Sequence, residues 1–312
     1  MSVFNVLFVE PFAMMAEAPL FLLEVVIGGL MTGVMYALVA LGFVLIFKAS
    51  GVFNFAQGAM VLFAALTFAG LIDDIGVPIW LAALITIGVM VALGFAIERA
   101  VLRPLVNQAP IILFMATIGI TFFLDGLGQT IWGSGVRALD IGIPQDPLIL
   151  GDLFINKFDL VAALVCGSLV AVLALFFQYT GTGRALRAVA DDHQAAMSVG
   201  IPLNVIWTIV WSVAGVVGFV AGIMWGSKLG VQFTLALIAL KALPVLILGG
   251  FTSIPGAIVG GLIIGAGEKV AEIYWGDVLG GAIEDWFAYM LALVFLLFRP
   301  QGLFGERIIE RV

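Results

Sequence analysis

The chain has 312 residues, 63% of them hydrophobic and only 11% charged, at a mean hydropathy of +1.23, whereas soluble domains carry roughly 25% charged residues. That composition excludes a soluble globular protein and predicts an all-α, polytopic membrane protein in contact with the lipid bilayer. A net charge of −7 excludes nucleic acid as a partner, and a single histidine with a single cysteine, Cys166, leaves neither a metal cluster nor an internal disulfide to argue for.

Residues 1–19 read as a weakly amphipathic lead-in. No basic residue precedes Lys48, so the start lacks the charged n-region of a signal peptide and is expected to be retained. The first span is predicted over 20–47, with Gly28, Gly29, Gly33 and Gly42 as close-packing points, since small residues let helices approach in lipid. A second follows over 52–72, opened by the polar string Asn54, Gln57, Gly58. Pro78 starts a third, to about 102, as proline is tolerated in a first helical turn. The fourth covers 111–132, a polar connection covers 133–159, and the fifth covers 160–179. Beyond a polar island at 181–202, spans are expected over 205–226, 231–250, 257–274 and 286–298.

Nine spans place Lys48, Arg99, Arg103, Arg184, Arg187, Arg299, Arg307 and Arg311 on one side, and Arg137, Lys157, Lys228 and Lys269 on the other. Basic residues near span ends are retained in the cytoplasm, so the first group is expected inside, with the N-terminus outside. Eight spans, with 231–250 re-entrant, would put the basic C-terminus outside. In the nine-span arrangement the first four spans and the last four would form an inverted repeat about the fifth, a common transporter plan.

The island is the part of the chain not explained by the membrane. At helical spacing Leu186, Val189, His193, Ala196 and Gly200 fall on one stripe, with Arg184, Arg187, Asp191 and Asp192 off it. Interfacial helices favour bulky apolar faces and Lys/Arg-rich polar ones. A stripe dominated by alanine points instead to docking on a partner.

Polar groups inside spans are costly in hydrocarbon and mark either pathways or interhelical hydrogen bonds. Thr32 and Tyr36, four apart, and Asn54, Gln57 and Gly58 suit both roles equally. Lys241, ten residues into an apolar run and followed by Pro244, must snorkel, pair or face a water-filled cavity. Asp125 is the carboxylate that stands out within the spans. No GxSxG elbow, HExxH or catalytic Ser/His/Asp order is present, so an enzyme is not indicated.

Several motifs in order carry a resemblance over most of the chain. They are Gly29-Leu-x-x-Gly33-x-x-Tyr36-Ala-Leu-x-Ala-x-Gly42, Asn54-Phe-Ala-Gln57-Gly58, and Gly183-Arg184-Ala-x-Arg187-Ala with Asp191 and Gly200-Ile201. Next come Leu248-Gly-Gly250-x-x-Ser253-Ile-Pro-Gly256-Ala-x-x-Gly260-Gly261 and the ending Arg299-Pro-x-Gly302-Leu-Phe-Gly305. Together they resemble the LivH-type permeases of branched-chain amino acid ABC importers. The chain departs from the commonest pattern at Gln57, where many relatives carry histidine, and at Phe251-Thr252.

The resemblance implies an ABC importer permease fold in a bacterial inner membrane. It implies a LivM-like second permease, two cytoplasmic ABC ATPases and a periplasmic solute-binding protein. The island becomes a coupling loop, with Arg184, Arg187, Asp191, Asp192, Ala195, Ala196 and Gly200 meeting the ATPase. No GxxxxGK[ST] motif occurs, so no cofactor is expected here and ATP belongs to the partners. Relatives import leucine, isoleucine and valine, but also urea, short amides or aromatic compounds. A secondary transporter would want carboxylates deep in its spans, and a passive channel would not need an alanine-faced cytoplasmic helix.

Overall fold

The computed structural model describes residues 3–105, 108–144 and 146–305; Arg307 and Arg311 of the expected basic tail lie outside them. In chain order the helices are α1 (Val3–Phe8), α2 (Glu10–Glu17), α3 (Pro19–Ser50), α4 (Gln57–Asp73), α5 (Ile79–Ile97), α6 (Pro110–Trp132) and α7 (Lys157–Tyr179). Then come α8 (Gly181–Asp191), α9 (His193–Ser198), α10 (Leu203–Leu229), α11 (Ile238–Lys241), α12 (Leu243–Gly249), α13 (Ile254–Leu279) and α14 (Ile283–Phe298). Within the polar connection expected over 133–159, Pro147–Leu150 (β1) and Leu153–Asn156 (β2) form an antiparallel hairpin, turned through Gly151 at φ +66°.

Among the described residues six helical segments are long and apolar enough to cross a membrane: Pro19–Ser50, Ile79–Leu105, Ile111–Trp132, Lys157–Tyr179, Leu203–Leu229 and Ile254–Leu279. The remaining three expected spans are shorter or broken, so helix length alone does not reproduce the count of nine. α4 begins five residues later than the expected span, because Asn54 Oδ1 accepts the Ala56 N–H at 3.0 Å and holds a turn ahead of the helix. The 231–250 stretch is no continuous helix. It runs as 3₁₀ (Phe233–Leu237), α11 and α12, since Pro244 cannot donate to the preceding turn. α14 has 16 residues.

Contacts divide the chain into two compact units: residues 1–37, 142–167 and 241–312, and residues 38–141 and 168–240. In the first, the start of α3 and the middle of α13 touch through backbones. A Cβ on Gly261 would lie 2.6 Å from Gly33 O, and one on Gly29 would lie 2.7 Å from Ala266 Cα. Glycine is required there because any side chain would force the helices apart. α13 also packs on α12 and α14. Ser253 caps α13 by accepting the Gly256 N–H at 3.0 Å. The C-terminal Gly302–Gly305 turn pairs back on the end of α12, with Leu303 N–H to Leu248 O at 2.7 Å and Phe304 N–H to Gly249 O at 3.1 Å.

In the second unit α4 is buried on nearly every side, as expected of a helix apolar all round. It packs on α10 and α6, while α5 packs on α10. α5 and α10 meet through glycines, a Cβ on Gly94 falling 2.6 Å from Ser212 N and one on Gly215 falling 2.7 Å from Met90 O. Fully buried Trp211, Phe68, Met60 and Leu66 fill the rest.

Candidate functional site

The island folds as a corner of two short helices, not the single helix expected. Thr180 caps α8 by accepting the Gly183 N–H at 3.2 Å. Gly183 then lies on the last turn of α7, where a Cβ would fall 2.6 Å from Phe177 Cα. Arg187 Nη1 donates to Phe177 O at 2.7 Å and Nη2 to Gln178 O at 3.3 Å, while Arg184 Nη1 reaches Tyr179 O at 3.4 Å. Carbonyls in a last turn lack helical partners, and a cation suits that negative end. Both arginines therefore clamp α8 onto α7.

Asp192 breaks the run with an extended backbone, φ −158° and ψ 114°. Its Oδ1 accepts the Gln194 N–H at 2.7 Å and the Ala195 N–H at 3.0 Å, capping α9. The N–H groups of Ala195 and Gln194 hold this carboxyl below its ordinary range by stabilising the charged form. His193 Nε2 lies 3.1 Å from Ala49 O, and the Trp207 indole N–H donates to the same carbonyl at 2.9 Å. The corner is thus tied to the last turn of α3 and to α10. Beside it a cavity of about 530 Å³ is lined by Met197, Ile201, Leu203, Trp207 and the Glu98–Arg103 ion pair.

The apolar stripe expected to meet a partner is used within the chain. Leu186, Val189 and Ala196 are buried, and α8 and α9 pack on α10. The outward surface carries Arg184, Arg187, Asp191, Asp192, Ala195, Gly200, Met197 and Val199.

Asn54, Gln57 and Gly58 also lie in the second unit, packed internally. Asn54 Nδ2 donates to Gln57 Oε1 and Gln57 Nε2 to Ala214 O, each at 3.4 Å, and both residues are fully buried. A Cβ on Gly58 would lie 2.9 Å from Ala239 Cβ. In this conformation these residues join α4 to its neighbours.

Lys241 and Tyr36 come together in the first unit, on a residue the sequence reading did not single out. Glu268, in the middle of α13, accepts at Oε1 from Tyr36 Oη and from Lys241 Nζ, each at 3.3 Å. Lys241 also pairs with Asp285 at 3.1 Å. The Glu268 side chain is 4% exposed, Lys241 30% and Asp285 73%. Thr32, one turn before Tyr36, is buried. The signal for Glu268 was the one that flagged Lys241, an ionisable residue inside an apolar span; Asp125, the carboxylate expected to stand out, lies in α6 with its Oδ1 likewise buried and without a partner among the described residues.

A mainly helical scaffold with glycine-mediated helix contacts, a broken apolar segment and a buried charged cluster is that of a polytopic membrane protein, and broken helices of this kind recur in transporters. The family profile described as "Branched-chain amino acid transport system / permease component" matches residues 25–299. The chain belongs to that family. It is similar to the high-affinity branched-chain amino acid transport system permease protein BraD of Pseudomonas aeruginosa, at 30% identity over 93% of this chain and 98% of that one. It is likewise similar to LivH of Escherichia coli K12, at 29% over 96% and 100%. A more distant relative is the probable LivH of Methanocaldococcus jannaschii, at 27% over 89% and 91%. Among solved structures, PsaBC from Streptococcus pneumoniae in complex with Fab aligns with a TM-score of 0.45 and 15% identity, over 87% of this chain and 89% of that one, too distantly to carry inference.

Proposed function

We propose that the chain is a permease subunit of an ABC importer, supplying half of a translocation pathway for branched-chain or related amino acids. It holds no cofactor and catalyses no reaction; ATP is bound and hydrolysed by two cytoplasmic ATPases. A LivM-like permease completes the pathway, and a periplasmic solute-binding protein delivers the solute. The membrane is the bacterial inner membrane, with the α8–α9 corner and the C-terminus in the cytoplasm and the N-terminus outside.

The observation that carries this reading is the joint at Ala49 O, within a chain of that family. A corner that only linked two spans would not need His193 and Trp207 to converge on the end of α3. With the corner against an ATPase, closure of the ATPases pulls on α3 and α10 together. The outward residues Arg184, Asp191, Ala195 and Gly200 are the coupling surface, and Tyr36 and Lys241 belong to the pathway.

Purification through this chain should bring down two ATPases. Proteoliposomes holding the complex, with its binding protein, should take up leucine, isoleucine or valine only with ATP on the ATPase side. Uptake that ignores ATP, or purification without an ATPase, refutes the proposal.

A further inference from the structure

We propose that Glu268 and Lys241 form an intramembrane recognition pair for the charged groups of the solute, Glu268 Oε2 receiving an ammonium and Lys241 a carboxylate. This rests on the preceding reading of the chain as an amino-acid permease.

The pair is built differently from a structural ion pair, and the chain contains a comparison. Glu98 is as buried as Glu268, and both its oxygens are engaged by Arg103, Oε1 at 3.1 Å and Oε2 at 3.0 Å. Glu268 has Oε1 doubly occupied, by Tyr36 and Lys241, while its Oε2 is buried and has no partner among the described residues. A carboxylate accepts through both oxygens, and leaving one idle in an apolar interior is unfavourable. A second idle atom lies on the same face of α3 as Tyr36, the buried hydroxyl of Thr32.

On the Lys241 side the surroundings are more open than a core. Lys241 ends α11, at the break before α12, and half-helices at such breaks recur in transport sites. Its side chain is partly exposed and reaches the open carboxylate of Asp285, so Lys241 links the buried Glu268 to an exposed carboxylate. The glycine contacts between α3 and α13 hold the helices that carry Tyr36 and Glu268 together. An α-amino acid zwitterion adds one charge of each sign to a pair that already has one of each. Urea and short amides bring no cation for Oε2, and an aromatic acid lacking an amino group adds only negative charge beside two carboxylates.

The experiment compares the reconstituted complex with Glu268→Gln and with the charge exchange Glu268→Lys/Lys241→Glu, using radiolabelled leucine and expressing uptake per assembled complex. Glu268→Gln should assemble and lose at least about tenfold in maximal rate, with the half-saturating leucine concentration unchanged because the binding protein sets it. A rate within about twofold of wild type overturns the proposal. If Glu268→Gln does not assemble, the exchange decides. Assembly without transport supports recognition, assembly with wild-type transport reduces the pair to a structural one, and failure of both to assemble also overturns the proposal. A wild-type complex that hydrolyses ATP yet takes up no amino acid refutes the underlying reading instead, a result visible before any variant is made.

Discussion

Gln57 shows how a polar residue inside a span is used. Its amide bridges Asn54 on one side and Ala214 O on the other, with no exposed surface. Such interhelical hydrogen bonds are worth about 0.6 kcal/mol on average in membranes, roughly a threefold change in an equilibrium. Asn54→Ala and Gln57→Ala should therefore lower the amount of assembled complex severalfold at most, and leave uptake per complex near normal. A rate per complex that collapses in both would make them pathway residues after all. Gly261 allows a harsher test. A methyl there would lie 2.6 Å from Gly33 O and 2.7 Å from Ala37 Cβ, and overpacking of this kind costs about 1–3 kcal/mol. Gly261→Ala should lower the midpoint of thermal unfolding of the purified subunit, whereas Gly28→Ala, with nothing within 4 Å of the added carbon, should not. Glycine identity told from the sequence that α3 packs closely, but not that Gly261 and Gly265 face Gly29 and Gly33. Spacing places residues on a face and does not choose the face opposite. Lys241 was legible because a lone cation interrupts apolar residues. Glu268 carries the same signal, but Lys269 beside it makes the stretch read as the outer edge of a span.

At the scale of elements, the motifs were legible while their physical work was not. Leu248-Gly-Gly250 and Arg299-Pro-x-Gly302-Leu-Phe-Gly305, far apart in sequence, are one joint, closed by two backbone hydrogen bonds with Gly250 at φ +105° and Gly302 at φ +79°. Periodicity drew the island as one helix because it takes no account of capping. Asp192 satisfies the first N–H groups of α9 and so ends α8. This gives a paired prediction. Asp192→Ala should release the His193 contact with Ala49 O and uncouple ATP hydrolysis from uptake, while Asp192→Asn, also a good cap, should preserve coupling. Equal loss in both would assign the role to charge. The pH dependence has a definite sign. The folded carboxyl is depressed below its usual 3.8, so the stability it contributes is fully present above that value and is lost only as pH falls through the lower folded one. Coupling in the wild type should therefore be unaffected by this group down to about pH 4.

For the whole molecule the number of bilayer crossings turns on 231–250. Read as rise per residue, the 3₁₀ turn Phe233–Leu237 with α11 and α12 spans about 25–28 Å, close to a hydrocarbon core of about 30 Å. A break at Pro244 therefore does not prevent crossing. Breaks are tolerated at membrane depth where the freed backbone is buried in protein, and Pro244, Val245, Leu246 and Leu248 are buried. Crossing there makes nine passages and puts Asp146 and Gln301 on opposite faces; re-entry makes eight and puts them on the same face. Both residues are exposed, and the ion pair lost with Asp146 is a loose one at 3.9 Å to Lys157. Cys166, the sole cysteine, is buried in α7 and can be replaced by alanine to clear the background. In that background Asp146→Cys should react with a membrane-impermeant maleimide added to intact cells. Gln301→Cys should react only after the inner membrane is opened. Labelling of both in intact cells would mean that 231–250 turns back within the bilayer, and would carry the C-terminus to the outside with it.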